Sequence, residues 1–288
     1  MDTQSLVQLA LPKGRMFEKL RLLLNDAGCP ILNRERDYRV QLALDGFSTK
    51  LLKPQGIVEM LAAGRRDIGF AGADWVAELN AELIPLLDTE LDPVQIVAAA
   101  PESFLEDGQL PKQPLIIASE YSHITQKWMR DTNLEGRFVR SWGATEVLPP
   151  EDADCIVDNT ATGSTLRANR LQIVDTIMMS STRLYANPRV LDIPEKRQRI
   201  ENLVMVLRAV LDARRRVMLE FNLDAQRVES VLPLLPAMRE PTIARLQSDD
   251  GVAVRAAVPR AKLTALLPAI KAVGGTDIVV SRIDQIVA

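Results

Sequence analysis

The chain has 288 residues, a net charge of −3 and 47% hydrophobic residues. That length favours two or three domains, and the composition is ordinary for a globular protein with a sizeable core. The near-neutral charge argues against a strongly basic nucleic-acid binder and against an acidic tail protein. His123 is the single histidine, which excludes any metal site built on two histidines.

Cysteine usage and the N-terminal sequence bear on the compartment. Cys29 and Cys155 are far apart in apolar stretches, which predicts buried thiols and no disulfide. The first residues lack the charged, then apolar, then small-residue pattern of a signal peptide. No apolar run reaches the roughly 18 residues of a membrane-spanning helix. We therefore expect a cytoplasmic protein.

Strand and helix patterns alternate from the N-terminus onward. The predicted strands are 6–11, 39–44, 48–52, 67–71, 94–100, 115–119, 137–142, 153–157 and 176–185. The predicted helices are 16–27, 55–63, 75–79, 122–130 and 162–169. Asp74 stands where the N-cap of the helix 75–79 is expected.

Two features of this pattern predict the fold of the first 190 or so residues. The strands 94–100 and 115–119 are continuous apolar runs, typical of strands buried on both faces of a mostly parallel sheet. The last strand, at about 177–184, has the position of a return into the first half. The pattern predicts a doubly wound α/β body with two lobes and a cleft between them.

A different pattern begins with a charged helix predicted at 194–216. It is followed by a strand at 217–221, a helix at 224–235, strands at 242–246 and 252–258, a helix at 260–273 and a strand at 277–282. This βαββαβ order, over about 75 residues, predicts a ferredoxin-like domain.

The segment after the strand 153–157 is the first candidate site. The strand delivers Asp158 at its end, and a loop of small hydroxyl residues with Gly163 then opens a helix. Backbone N–H groups at a helix N-terminus and the hydroxyls of Thr162, Ser164 and Thr165 are suited to a phosphate group. Asp158 has the position to bind a ribose hydroxyl or Mg²⁺. The alternative is an ordinary helix N-terminus with threonine caps.

Three further segments follow strand ends, where ligands bind in open α/β sheets. Lys13, Gly14 and Arg15 place two cations beside a glycine, which suits a pyrophosphate or nucleotide phosphates. Gly72 allows a close backbone approach, of a ligand or equally of the other lobe. Glu146 presents a carboxylate after another strand, and alone it is typical of a surface residue.

The segment 154–166, followed by Arg167, Ala168 and Asn169, resembles the signature of the ATP phosphoribosyltransferase family, which catalyses the first step of histidine biosynthesis. The segments 9–16, 67–74 and 143–146 recur in that family in this order. The tail resembles its long form at 241–243, 252–259 and 274–279. The chain departs from the family pattern around Lys53, at 159–161 and at Glu120, where the family has a cation.

The resemblance implies a two-lobed doubly wound body similar to type II periplasmic-binding folds, with a C-terminal ferredoxin-like βαββαβ domain. Residues 1–92 and 178–200 are then lobe I, 93–177 lobe II with the phosphoribosyl-pyrophosphate loop, and 201–288 the regulatory domain with its connecting helix. The implied reaction joins N1 of ATP to C1 of phosphoribosyl pyrophosphate with Mg²⁺ and releases pyrophosphate. Inhibition by histidine and a dimeric or hexameric homo-oligomer are implied as well.

The resemblance also implies residue roles. Glu146, Asp158 and Arg15 are the predicted catalytic residues, and Asp158 and Glu146 also the Mg²⁺ ligands. The predicted phosphate-binding residues of the sugar substrate are Asp154, Thr160, Ala161, Thr162, Gly163, Ser164 and Thr165. The predicted ATP- and pyrophosphate-binding residues are Lys13, Gly14, Arg15, Lys53, Gly72 and Asp74. The predicted histidine-binding residues are Asn222, Thr242 and Gly275.

Two other functions stay open. A non-catalytic protein of the type II binding fold, binding a small anion or an amino acid, fits the two-lobed body but not the missing signal peptide. The chain could also be a catalytic subunit that depends on a separate regulatory protein, as short-form relatives do. The C-terminal tail of this chain argues against that function. His123 is expected to be a surface residue at a helix N-terminus and not a catalyst.

Overall fold

The computed structural model describes residues 6–32, 39–247 and 250–287. Apart from the undescribed residues, the first unit comprises Met1–Leu22 and Cys29–Glu201, and the second comprises Leu23–Gly28 and Asn202–Ala288. Two helices, near residues 15–26 and 194–214, begin in the first unit and end in the second.

The first unit alternates strands and helices as the periodicity predicts. Its strands are β1 Val7–Pro12, β2 Phe47–Leu52, β3 Ile68–Gly72, β4 Ile84–Pro101, β5 Leu115–Ser119, β6 Gly136–Arg140, β7 Cys155–Thr160 and β8 Leu171–Ala186. Its helices are α1 Arg15–Asp26, α2 Pro54–Ala62, α3 Ala73–Glu78, α4 Ser122–Asp131, α5 Ser164–Ala168 and α6 Pro194–Arg214.

All eight strands join one sheet in the order β2-β1-β3-β8-β4-β7-β5-β6. The outer strands form two parallel groups, β2-β1-β3 and β7-β5-β6. The long strands β4 and β8 lie between the groups, and the end of β8 pairs with β3. The predicted return into the first half is therefore confirmed, and the doubly wound α/β class with it.

The expectation of a parallel strand at 94–100 is wrong, because β4 runs antiparallel to both β7 and β8. The run from Ile96 to Ala100 is fully buried. A strand in the middle of a covered sheet is buried on both faces in either direction. Its apolar run therefore carries no information about direction.

The predicted strand 39–44 is also absent. Leu42 forms only an isolated bridge with Ile31, while the Ala43 N–H donates to the carbonyl of Pro30. Pro30 has no N–H with which to donate a second hydrogen bond to the opposite segment, so the ladder does not extend through it.

The second unit contains β9 Arg216–Asp224, α7 Val228–Val231, β10 Thr242–Arg245, β11 Gly251–Pro259, α8 Leu263–Ala272 and β12 Thr276–Arg282. Its sheet is antiparallel throughout, in the order β10-β11-β9-β12, which confirms the ferredoxin-like βαββαβ arrangement. Alternate residues of β9, such as Leu219 and Phe221, are buried beneath the helices.

The first helix of this unit is shorter than the predicted 224–235. Only Val228–Val231 is α-helical, between 3₁₀ turns at Ala225–Arg227 and Leu232–Leu234. Pro233 lacks an N–H and its ring clashes with the preceding turn, so it ends the α-helix.

The two cysteines are free and buried, as expected. Burial raises the pKa of the Cys155 thiol to about 12 and also raises that of Cys29. Within the described ranges, no helix combines the length and the apolar character needed to cross a membrane.

A buried ion pair joins the start of α6 to the sheet of the first unit. Asp67 Oδ2 accepts from Lys196 Nζ at 2.7 Å and from the Gln8 N–H at 2.7 Å. The two charged side chains are only 16% and 11% exposed. Removal of one partner leaves the other charge buried without compensation.

Asp67→Ala is expected to lower the free energy of unfolding by about 3 kcal/mol, because Lys196 keeps its charge and loses its partner. Denaturant titration followed by circular dichroism measures the change. Asp67→Asn combined with Lys196→Met restores most of it, since the amide oxygen still accepts from the Gln8 N–H and no charge is left without a partner. The control is the exposed pair Lys127–Asp131, where Asp131→Ala costs about 0.5 kcal/mol or less. An equally small cost at Asp67 would contradict the prediction.

Candidate functional site

Cationic residues follow the parallel strands of the first group. Lys13 follows β1 and Lys53 follows β2, and the Lys13 N–H donates to the Leu52 carbonyl at 2.9 Å. The two backbones are therefore direct neighbours at the carboxyl edge of the sheet. Gly14 has φ +76° and open space around its Cα, and Arg15 begins α1. The sequence-predicted set Lys13, Gly14, Arg15 and Lys53 thus lies together on one edge.

Acidic residues mark the carboxyl edge of the second group of strands, which run antiparallel to those of the first. Glu120 follows β5, Glu146 lies in the 3₁₀ turn Thr145–Val147 after β6, and Asp158 lies near the end of β7. The pKa of Asp158 is raised to about 6, mainly by burial, with further contributions from Glu146 and Glu120. A Cβ on Gly143 would lie 3.9 Å from Glu120 Oε1. The structure therefore brings Asp158 and Glu146 together, and adds Glu120.

The loop after β7 is held by its own hydroxyl groups. Thr160 Oγ1 accepts from the Gly163 N–H at 2.9 Å, and Thr162 Oγ1 donates to Ser164 Oγ at 3.0 Å. Gly163 adopts the left-handed conformation, with φ +71°. Ala161, Thr162, Ser164 and Thr165 are exposed. The loop therefore presents hydroxyl groups to solvent on a fixed backbone.

The helix after the loop is shorter than expected, because α5 spans only Ser164–Ala168 and the prediction was 162–169. Asn169 ends it with an Nδ2 bond to the Thr165 carbonyl. A helix this short has a small dipole. The loop's capacity for an anion therefore rests on its hydroxyls and on the nearby cation of Arg167. Arg167 Nη1 lies 2.9 Å from the position of a Cβ on Gly163. Arg167 belongs to the segment that carries the family resemblance, but no role was predicted for it.

Asp154 lies away from this loop. Its Oδ2 accepts from the Ile116 N–H at 2.7 Å, and its own N–H donates to the Ile116 carbonyl at 2.9 Å. It precedes β7, whose six residues extend for about 20 Å before the loop begins. Asp154 thus fastens β7 to β5 at the opposite edge, and the structure does not join it to the other predicted phosphate-binding residues.

Asp74 is buried and is not the N-cap of α3, since that position is taken by Gly72. Its Oδ1 accepts from Ser180 Oγ at 2.6 Å, and its Oδ2 accepts from the Tyr121 hydroxyl at 2.9 Å. A Cβ on Gly72 would lie 2.2 Å from Asp74 Oδ1. Gly72 is therefore explained by the close approach of this carboxylate, and both oxygens of Asp74 are engaged within the protein.

Tyr121 and Asn159 extend this network, and sequence reasoning missed both. Asn159 Nδ2 donates to the Tyr121 hydroxyl at 3.1 Å. The Tyr121 ring lies 5.1 Å from that of Trp75, centroid to centroid. Burial and the neighbouring Asp74 raise the pKa of Tyr121, so its hydroxyl keeps its proton. The partners are 38 and 47 residues distant in sequence, so no local signal existed.

The N-terminus of α4 is already occupied. Glu78 is buried, and its carboxylate accepts from the backbone N–H groups of His123 and Ile124 at 2.9 and 3.1 Å. This carboxylate already occupies the backbone N–H groups at the positive end of the helix dipole, so the N-terminus of α4 is not available to another anion. His123 is an exposed residue in the first turn, as expected.

An exposed tryptophan follows β6 at the same edge. Trp142 is 83% exposed, and the Arg140 guanidinium lies 4.7 Å from the centre of its ring. Gly143 and Ala144 after it are both left-handed, with φ +100° and +48°. The sequence contained this residue next to Glu146, but periodicity gave no reason to single it out.

The carboxylates of this edge suit a hard divalent cation. Mg²⁺ is commonly held by one or two carboxylates together with substrate phosphates. Asp158 and Glu146, which repel each other, supply such a pair. In the described part of the chain, no group of three or more His, Cys, Asp or Glu side chains is arranged around a metal position. A cation shared with substrate oxygens fits; a site made by protein ligands alone does not.

The second unit holds the three residues predicted to bind histidine. Asn222 lies on β9 with Nδ2 donating to Asp277 Oδ2 at 3.0 Å, and its register partner Thr276 directly follows Gly275. Thr242 pairs with Arg255, and Arg255 with Glu220, so Thr242 and Asn222 lie on the same sheet face two strands apart. The structure brings Asn222 and Gly275 together and leaves Thr242 at the sheet edge.

Comparison with known proteins identifies matches along the whole chain. The HisG family model, ATP phosphoribosyltransferase, matches residues 53–209, and the HisG C-terminal domain model matches residues 213–285. The ATP phosphoribosyltransferase of Pelodictyon phaeoclathratiforme is 33% identical over 293 residues, covering 100% of both chains. That of Pelotomaculum thermopropionicum is 34% identical over 278 residues, covering 95% of this chain and 96% of the relative.

A solved structure is similar to about two thirds of the chain. The ATP phosphoribosyl transferase (HisG:HisZ) complex from Thermotoga maritima contains a chain with a TM-score of 0.62 and 27% identity. The match covers 70% of this chain and 99% of that chain. The Thermotoga chain therefore has no counterpart for about a third of this one.

Gly72→Ala is expected to lower the free energy of unfolding by about 2 kcal/mol, because the new methyl group displaces Asp74 Oδ1 from Ser180. Thermal unfolding of the two proteins measures the difference. Gly56→Ala is the matched control: Gly56 lies in α2 with open space around it, and alanine there raises stability by about 0.5–1 kcal/mol. The same stabilisation at Gly72 would be incompatible with the described packing.

Proposed function

The chain belongs to the ATP phosphoribosyltransferase family, enzymes of the first step of histidine biosynthesis, and we propose that it transfers the 5-phosphoribosyl group of phosphoribosyl pyrophosphate to N1 of ATP. The observation that carries the proposal is the hydroxyl-lined loop Thr160–Thr165, which begins two residues after Asp158 at the carboxyl end of β7. Such a loop suits a sugar phosphate, and the carboxylate beside it suits the ribose hydroxyls.

In this proposal the two groups of strands bind different parts of the substrates. The hydroxyls of Thr162, Ser164 and Thr165 bind the 5-phosphate, with Arg167 adding a positive charge. Asp158 and Glu146 accept hydrogen bonds from the ribose hydroxyls. Lys13, Arg15 and Lys53 neutralise the pyrophosphate and the ATP phosphates. Gly14 and Gly72 leave room for the ligand or for the packing of Asp74, and Asp154 has no part.

The chemistry requires positioning more than proton transfer. N1 of adenine is neutral and carries a lone pair, so the new C–N bond forms without a general base. The C1–O bond breaks and its electrons leave with the pyrophosphate, while positive charge develops at C1. Carboxylates beside the sugar and cations beside the leaving group stabilise that separation of charge. Asp158 and Glu146, together with substrate oxygens, would hold Mg²⁺, which would supply further neutralisation of the pyrophosphate.

Regulation is assigned to the second unit in the same proposal. Histidine binds near Asn222 and Gly275, with Thr242 at the edge of the site, and lowers the rate through a coupling between two distinct sites. The active protein is a homo-oligomer, dimeric or hexameric, and light scattering measures its mass. The alternative, a binding protein without catalysis, predicts ligand affinity and no turnover.

Pyrophosphate release from ATP, phosphoribosyl pyrophosphate and Mg²⁺ tests the activity and the loop together. Thr162→Val and Thr165→Val are each expected to raise the KM for phosphoribosyl pyrophosphate about tenfold, because a hydrogen bond to a charged phosphate is lost. The KM for ATP and the melting temperature stay unchanged, since both residues are exposed.

Thr264→Val, an exposed threonine on α8, is the matched control and leaves both KM values unchanged. An unchanged KM in the loop variants would remove the loop from this role. No pyrophosphate release by the wild-type protein would favour the binding-protein alternative.

Asn222→Ala tests the regulatory assignment. The Asn222 amide is oriented by Asp277, and its loss removes a polar contact to a bound amino acid. The histidine concentration for half inhibition is expected to rise about tenfold. The rate without histidine stays unchanged. Gln226→Ala, an exposed amide after the same strand, is the control. Equal inhibition of Asn222→Ala and wild-type protein would reject the site.

A further inference from the structure

A chain of hydrogen bonds crosses from the first group of strands to the proposed sugar site. Asp74 lies at the end of β3, Tyr121 after β5, and Asn159 on β7. Ser180 and Tyr121 donate to the two oxygens of Asp74, and Asn159 Nδ2 donates to the Tyr121 hydroxyl. The same Nδ2 lies 3.3 Å from Asp158 Oδ1. The chain thus ends on a carboxylate that the proposed function places beside the ribose.

The direction of every bond in this chain is fixed. The two oxygens of Asp74 accept from Ser180 Oγ and from the Tyr121 hydroxyl, so the single proton of Tyr121 goes to Asp74. The remaining lone pair of the hydroxyl faces Asn159 and requires a donor. If the amide of Asn159 were turned by 180°, its oxygen would face the Tyr121 oxygen with no proton between them. Asp74 and Tyr121 therefore determine one orientation of the Asn159 amide.

Asp158 needs such a restraint because its surroundings are repulsive. Glu120 and Glu146 both act on it as like charges. Its Oδ1 accepts from the Asn159 backbone N–H at 2.6 Å as well as lying near Nδ2. Both donors come from one residue, and Thr160, which holds the loop, follows directly. Asn159 thus stands between the carboxylate and the phosphate loop.

We propose that Asn159 is a positioning residue, whose amide, oriented by Tyr121 and Asp74, fixes the Asp158 carboxylate relative to the phosphate loop. This inference rests on the proposed function for its kinetic consequence. Asn159 touches no reacting atom; it acts through Asp158. Its side chain is exposed, so it contributes little to the core.

Asn159→Leu keeps the size of the side chain and removes the amide. We expect kcat/KM for phosphoribosyl pyrophosphate to fall about five- to tenfold, the effect of one lost hydrogen bond at a charged group. The KM for ATP and the melting temperature remain at wild-type values. Gln126→Leu removes an exposed amide from α4 and is the matched control, with unchanged kinetics.

A double-mutant cycle with Tyr121→Phe separates positioning from a general loss of structure. Tyr121→Phe removes the acceptor that orients Asn159, so Asn159→Leu in that background lowers kcat/KM at most about threefold further. The full five- to tenfold loss in both backgrounds would overturn the link through Tyr121. An unchanged kcat/KM in Asn159→Leu alone would overturn the inference as a whole.

Crystal structures of the wild-type protein and of Asn159→Leu give a readout that does not depend on turnover. We expect one Asp158 side-chain position in the wild-type protein and a shifted or multiple position in the variant. The same single position in both would overturn the inference. Wild-type protein that releases no pyrophosphate would instead overturn the proposed function, so the two failures are distinguishable.

Discussion

The antiparallel ladder between β4 and β8 is the constraint on which the first unit depends. These two strands lie in the middle of the eight-stranded sheet, between the parallel groups β2-β1-β3 and β7-β5-β6. Since each group ends at its own carboxyl edge, the ladder determines how those edges lie relative to each other. Asp74 after β3, Tyr121 after β5 and Asn159 on β7 are joined by hydrogen bonds, and Ser180 of β8 donates to Asp74 from the ladder.

Asp74 links side chains from several of these strands through hydrogen bonds. A buried carboxylate is stable only with donors on its oxygens, and Ser180 and Tyr121 provide them. The requirement works in both directions, because Asp74 also fixes the hydroxyl proton of Tyr121 and hence the amide of Asn159. A residue that the sequence placed in contact with a ligand is thus part of the support behind the site.

Local sequence patterns predicted most of the secondary structure but little of the hydrogen-bond network around Asp74. Period and breaker residues predicted the strands and helices, including the whole βαββαβ order of the second unit. Strand direction at β4 was wrong because burial on both faces says nothing about direction. The N-cap interpretation of Asp74 was wrong, because Gly72 is the N-cap of α3. Local sequence could not reveal the actual partner of Asp74, since Ser180 lies 106 residues away. The family resemblance likewise assigned Asp154 to the phosphate-binding loop, although the length of β7 separates them.

The carboxyl edges of the two groups of strands carry opposite charges, and this distribution suits the proposed reaction. Lys13, Arg15 and Lys53 lie with the first group of strands, while Glu120, Glu146 and Asp158 lie with the second. A reaction that develops positive charge on a sugar carbon and negative charge on a leaving pyrophosphate is stabilised by that separation. Carboxylates this close together repel one another and cannot hold each other in place. Uncharged hydrogen-bond donors are needed to fix their positions. The backbone N–H and the side-chain amide of Asn159, which donate to Asp158 Oδ1, are such donors.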